Sequence, residues 1–358
     1  MDLKEILFEA VKYDITDIFF NPGKPVLINY QGKFKSLSSY VLTPEDTHDI
    51  ALQILSEKQY ELFQQLGDFN IAFGIKNVGR FRVNIYKQRG SIAIVLRRIK
   101  LNIPSMTELM LPLVLRDLAL EKDGIIFITG ATGSGKSTTI ASMIETRNET
   151  MEGHIITLED PIEYLFSHKK CIISQREIGL DTISYEEGLK NALRQSPNVI
   201  VIGEIRDSTS MKYALYAAET GHLVITTLHA KDTQQAIERI LSFYPVENYA
   251  QVFVQLAFSL KAIISQKLLP HKNGLKRVPA FEILLNTPRV KDNLIKRNIS
   301  SIKQIISEST KEKMTTFDQY IYNLYQKGLI SKETALKFAD SPNNMNLRLK
   351  GITNITIT

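Results

Sequence analysis

Eight consecutive residues, Gly130-Ala131-Thr132-Gly133-Ser134-Gly135-Lys136-Ser137, fit the pattern in which a glycine-rich turn ends in Lys-Ser. The chemistry such a turn supports is phosphate binding. Glycines let main-chain N–H groups converge on an anion, and the start of a following helix adds partial positive charge. Lys136 is then expected to bridge the β- and γ-phosphates of a nucleotide, and Ser137 to hold Mg2+. The context fits: an apolar stretch over residues 125–129 enters the turn, and a helical stretch beginning at Thr138 leaves it. No Asn-Lys-x-Asp sequence for reading guanine is present, which favours ATP.

Three further elements carry polar groups at strand ends. Val199-Ile200-Val201-Ile202 reads as a buried strand that ends at Gly203-Glu204. Phosphate-loop enzymes usually place Asp-Glu there. With Gly203 in the Asp position, metal binding leans on Ser137, phosphate and water, while Glu204 is left to polarise an attacking water. The alternative is a helix-start carboxylate without a catalytic role. Residues 155–158 deliver Glu159, Asp160 and, after Pro161, Glu163. These acids suggest metal or water positioning, or else a solvated turn. Finally, Gly221 suits the end of a helix over 209–220, and His222 and His229 bracket the strand between them. Two histidines around a strand beside a nucleotide site favour γ-phosphate sensing over a structural role.

The elements that must position these residues divide into regions. A chain of 358 residues is too long for one typical core and implies more than one domain. Residues 1–100 read as a small α+β domain. Within it, an amphipathic helix covers 2–12, a strand at 26–30 enters a turn at Gln31-Gly32, and a helix begins at Thr43-Pro44 and continues to about Leu66. Phe81, Val83 and Ile85 alternate with Arg80, Arg82 and Asn84, Lys87–Gly90 turns, and Ile92, Ile94 and Leu96 return. That hairpin has one apolar face and one that carries arginines. Residues 101–112 read as a linker. Strands at 124–129, 154–158, 198–202 and 222–227 alternate with helices over 113–270, which predicts an α/β core with a mainly parallel sheet. Residues 271–358 read as helices only.

Composition excludes some classes. One cysteine, Cys171, rules out disulfides and a four-cysteine zinc site within one chain, and is expected in the core. Hydrophobic residues at 44% and charged residues at 23% are ordinary for a globular protein. No stretch offers the roughly 20 apolar residues of a membrane span, the N-terminus has no signal-peptide pattern, and the single cysteine fits an expected cytoplasmic location. A net charge of +6 admits nucleic acid or an anionic membrane, but acidic residues are interspersed almost everywhere, which favours a solvated face.

The four elements, in order GATGSGKSTT, ITLEDPIEY, NVIVIGEIRD and AAETGHLVITTLHA, resemble those of the secretion ATPase superfamily that drives type IV pili and type II secretion. Within it the chain is most similar to the PilT-type retraction group, since assembly members generally carry an additional N-terminal region and a four-cysteine zinc element. The resemblance implies a PAS-like N-terminal domain followed by a RecA-like ATPase domain, with ATP and Mg2+ bound between them. It implies a homo-hexamer at the cytoplasmic base of the pilus machine, acting on an inner-membrane platform protein, with peripheral membrane association through that partner and no stable nucleic-acid complex. By the same resemblance Glu204 is the catalytic glutamate, Lys136 and Ser137 the Walker A pair, Glu159 and Glu163 the Asp-box acids, and His222 and His229 the His-box histidines. Arg80, Arg82 and Arg97 lie where family arginines reach phosphate. Arg194 and Arg206 are candidates for pairing with carboxylates. The implied activity is ATP hydrolysis that powers pilus retraction. The alternatives are an assembly or secretion motor and, more remotely, a RecA-like nucleic-acid motor.

Overall fold

The computed structural model describes residues 2–352 except 14, 31–32, 77, 100–101 and 275, so the turn expected at Gln31-Gly32 lies outside the described residues. The chain divides into two compact units. One comprises Met1–Asn102 with Glu163–Leu165, the other Ile103–Ile162 with Phe166–Thr358.

The first unit carries helices α1 (Leu3–Ala10), α2 (Pro44–Ile54) and α3 (Glu57–Leu66). Its strands are β1 (Ile15–Phe20), β2 (Leu27–Tyr30), β3 (Lys33–Ser36), β4 (Asp68–Ile75), β5 (Gly79–Gln88) and β6 (Ser91–Arg98). They form one sheet in the order β3-β2-β1-β6-β5-β4, with antiparallel pairs throughout. The alternation seen in the sequence is the core pattern: Phe81, Val83, Ile85, Ile94 and Leu96 are all fully buried and join one cluster with residues of α1, α2 and α3. The hairpin turns in two residues, Arg89 and Gly90, both with positive φ, as a tight hairpin of matching twist requires.

The helix read as continuous from Thr43 to Leu66 is two. Thr43 and Asp46 form a reciprocal cap at the start of α2, which ends at Leu55 in extended conformation. Ser56 and Gln59 then form a second reciprocal cap that starts α3.

The second unit is built on β7 (Gly124–Thr129), β8 (Gly153–Glu159), β9 (Cys171–Glu177), β10 (Val199–Ile202), β11 (Leu223–Leu228), β12 (Leu260–Pro270) and β13 (Arg277–Leu285). The order is β13-β12-β7-β11-β10-β8-β9. All neighbours are parallel except β12 and β13, which form an antiparallel hairpin. Helices α4 (Val114–Ala119), α5 (Lys136–Thr150), α6 (Tyr185–Ala192), α7 (Ser208–Glu219), α8 (Thr233–Leu241) and α9 (Tyr249–Ser259) accompany this sheet. Then α10 (Pro288–Ile295), α11 (Ile302–Glu308), α12 (Phe317–Gln326), α13 (Lys332–Phe338) and α14 (Pro342–Leu349) follow it. Two core clusters share the residues of β7 by alternation: Ile125 and Phe127 point into one, Ile126 and Ile128 into the other. That is the two-sided burial of a central parallel strand.

The expectation of helices alone after residue 270 is corrected by β13. Val278 to Leu284 are all buried, so no alternation marks the strand, and Pro279 reads as a breaker. Proline is tolerated there because β13 is an edge strand.

Candidate active site

The phosphate loop leaves β7 at the C-terminal edge of the sheet. Gly130, Gly133 and Gly135 all take positive φ, which side chains rarely adopt. A β-carbon on Gly130 would run into the main-chain oxygen of Gln266 and the Ser134 hydroxyl, whereas Gly133 faces open space. Gly135 is the N-cap of α5, whose first turn holds no acid and receives no side-chain cap. Its N–H groups and dipole are therefore directed to an incoming anion. Lys136 Nζ donates to the carbonyls of Gly130 (2.8 Å) and Ala131 (3.1 Å), which folds it over the loop. Ser134 Oγ is buried without a hydrogen-bond partner among the described residues. A phosphate oxygen in the loop is a fitting acceptor for such a hydroxyl. Ala131, Thr132 and Ser137 are exposed, and Thr138 is half-buried.

Neighbouring strand ends bring the other groups alongside. Register pairs Thr129 with Leu228 and Ile202 with Thr226, so the ends of β7, β11 and β10 follow in that order. At sheet spacing the phosphate loop and Glu204 are two strand spacings apart, about 10 Å. Glu204 is held on both oxygens. Oε1 is 3.1 Å from His229 Nε2, and Oε2 receives Arg206 Nε at 2.9 Å and its terminal nitrogen at 2.8 Å. That pairing pushes the Arg206 pKa further up. Arg206 therefore pairs as expected, and its partner is the candidate catalytic residue.

Gly203 has no room to be the Asp that usually precedes this glutamate. A β-carbon there would lie 2.9 Å from the Tyr185 hydroxyl and 3.2 Å from the Leu158 carbonyl. Its own carbonyl accepts the Thr227 hydroxyl at 2.6 Å. Burial raises the Tyr185 pKa, and Asp160, Glu204 and Glu159 push the same way against Arg206, so the phenol stays neutral. Tyr185 thus sits among the site's charges, although its position in the sequence, opening α6, gives no periodic signal for this. On the adjacent β8, Glu159 Oε1 accepts from Thr157 (2.6 Å) and Gln175 (3.2 Å).

Not every expected residue converges. His222 stands before β11, at the end of the strand opposite His229, and its Nδ1 faces the Ala217 carbonyl (3.1 Å) and the Thr220 hydroxyl (3.2 Å). Six strand residues at about 3.3 Å each separate it from His229, roughly 20 Å. The two bracketing histidines therefore do not meet at one site within this chain. Glu163 is exposed and groups with the first unit. Arg80, Arg82 and Arg97 also belong to the first unit. Register places Arg82 opposite Arg97 and Arg97 opposite Asp17, with Arg97 Nε 2.9 Å from Asp17 Oδ1. Arg194 lies exposed beyond α6.

The chain matches the model of the type II/IV secretion system protein family over residues 65–324. It is 43% identical over 350 residues to a Pseudomonas aeruginosa protein described as the type IV pilus ATPase PilU, covering 98% of this chain and 92% of that one. It is 36% identical over 344 residues to the type IV pilus retraction ATPase PilT of the same organism, covering 96% of this chain and 100% of the relative. The crystal structure of the pilus retraction motor PilT with bound ADP aligns at a TM-score of 0.88 and 42% identity, covering 96% of this chain and 98% of that one.

Proposed function

Since the chain belongs to the type II/IV secretion system protein family, we propose that it is a motor ATPase that hydrolyses ATP to power type IV pilus retraction. The observation that carries the chemistry is Glu204 held at the C-terminal ends of the strands, two strand spacings from the phosphate loop, by His229 and Arg206. ATP places its phosphates against the N–H groups of Gly130–Ser137, and Lys136 exchanges the loop carbonyls for phosphate oxygens. Glu204 orients a water towards the γ-phosphorus and takes up its proton as ADP departs. His229 fixes the carboxylate's direction. Ser137, exposed at the first turn of α5, would supply the protein ligand of Mg2+, with phosphate and water as its other ligands, as suits this ion. Mg2+ neutralises charge on the phosphates when bound.

We assign Arg80 and Arg82 to phosphate contact, and Arg97 to its pairing with Asp17. Glu159 is placed beside the water and metal as an outer acceptor. His222 and Glu163 are assigned no step within one chain. The working form is a homo-hexamer at the cytoplasmic base of the pilus machine, engaging an inner-membrane platform protein.

Glu204→Gln tests the chemistry. It keeps the side chain's shape and its bond to Arg206 but removes the base. The expected result is unchanged ATP binding with turnover lowered by roughly 10²–10⁴-fold. Hydrolysis at the wild-type rate would refute the role of Glu204.

A further inference from the structure

Strand β12 contributes none of the motif residues, yet it braces the phosphate loop at both ends. At the entrance, Ser265 Oγ lies 2.7 Å from Thr129 Oγ1, with both side chains buried. At the exit is Gln266, only 3% exposed. Its Oε1 accepts the Thr139 hydroxyl at 2.8 Å. Its Nε2 stands 2.9 Å from where a β-carbon on Gly135 would be, and its main-chain oxygen blocks the same position on Gly130. Gln266 therefore touches the loop's first glycine, its last glycine and the first turn of α5. The residues between Gly135 and Thr139 are Lys136, Ser137 and Thr138, the groups that meet phosphate and metal.

Resting on the reading of this loop as a nucleotide site, we propose that Gln266 is a positioning residue that sets nucleotide affinity by clamping the phosphate loop to α5. A loop with three positive-φ glycines has unusual conformational freedom, and ordering it on binding costs affinity. A buried carboxamide bonded across to Thr139 removes that freedom before the nucleotide arrives. The clamp touches the part of the site that holds the phosphates common to ADP and ATP. It does not touch Glu204, so it acts on binding and leaves the chemical step alone.

The experiment is a double-mutant cycle on ADP affinity in the full chain, with ATP turnover measured alongside. Gln266→Leu leaves the Thr139 hydroxyl buried and unbonded, and Thr139→Val breaks the same bond from the helix side. Each is expected to raise the ADP Kd and the KM for ATP about tenfold, as for the loss of one buried hydrogen bond, with kcat at saturating ATP within about twofold of wild type. The double variant, which places apolar against apolar, is expected to bind no worse than Gln266→Leu alone. Wild-type ADP affinity in both single variants would overturn the clamp, as would losses that multiply in the double variant or fall on kcat. Failure of the wild-type chain itself to bind ADP would overturn the nucleotide reading, and the clamp with it.

Discussion

Glu204 has two oxygens and two cationic or potentially cationic neighbours, one on each. Their positions suggest different roles. Arg206 is 63% exposed at the side chain, and an exposed ion pair of this kind contributes about 0–1 kcal/mol, so its bond can break and reform cheaply. His229 sits directly after the strand between Glu204 and the phosphate loop, where it can both orient the carboxylate and approach the γ-phosphate. His229→Ala is therefore expected to lower kcat by tenfold or more while ADP affinity stays near wild type. His222→Ala should leave both unchanged in a non-assembled chain, and equal losses from the two substitutions would show that the bracketing histidines act together. The motifs made Glu204, Lys136 and His229 legible because each follows an apolar run that must be a strand. Gln266 and Tyr185 left no such mark. Gln266 lies inside a strand that crosses back from elsewhere in the chain, and its importance depends on a contact with Thr139, 127 residues away.

The elements legible in the sequence are those with a period or a bounded apolar run. The hairpin of β5 and β6 alternates over its length, and β7, β8, β10 and β11 are short apolar runs between helices. Unmarked in the sequence are β1, β3, β4 and β9, the α2–α3 break, where both halves are helical and only the Ser56–Gln59 cap marks the boundary, and the hairpin of β12 and β13. Buried Glu282 on β13 shows why that hairpin matters. Its Oε1 accepts from the Thr233 amide (3.0 Å) and hydroxyl (2.8 Å), so the edge strand holds the start of α8, four residues after His229. Its Oε2 is buried without a partner among the described residues. Burial raises the Glu282 pKa, against the Thr233 hydrogen bonds and Lys303, which lower it. A carboxyl whose folded pKa is raised binds its proton more tightly in the folded state, so stability falls as pH rises from the ordinary carboxylate value through the raised one. Glu282→Gln keeps the acceptor for Thr233 and removes the charge. Its melting temperature is expected to exceed wild type at pH 7, with the advantage vanishing below the ordinary carboxylate pKa. A Glu282→Gln protein that melts lower at pH 7 would show that the ionised carboxylate is well solvated or paired.

At the scale of the whole molecule the direction of work becomes the question. The phosphate loop, Glu204 and His229 would serve a motor that builds a filament as well as one that withdraws it, because both need only ATP turnover at this site. What argues for withdrawal is the likeness that runs through both units: the alignment to the PilT structure covers 96% of the chain, and that to the PilT sequence likewise covers 96%. The net charge of +6 adds nothing to this choice, since acidic residues are spread along the chain. The decisive comparison is made in cells in which Glu204→Gln replaces the native protein, with surface pili counted and surface motility scored together. A retraction motor stalled in this way leaves extension running, so cells with abundant pili and no movement are expected. Few or no pili would make the chain an assembly motor, and the same active site would then be pushing subunits outward.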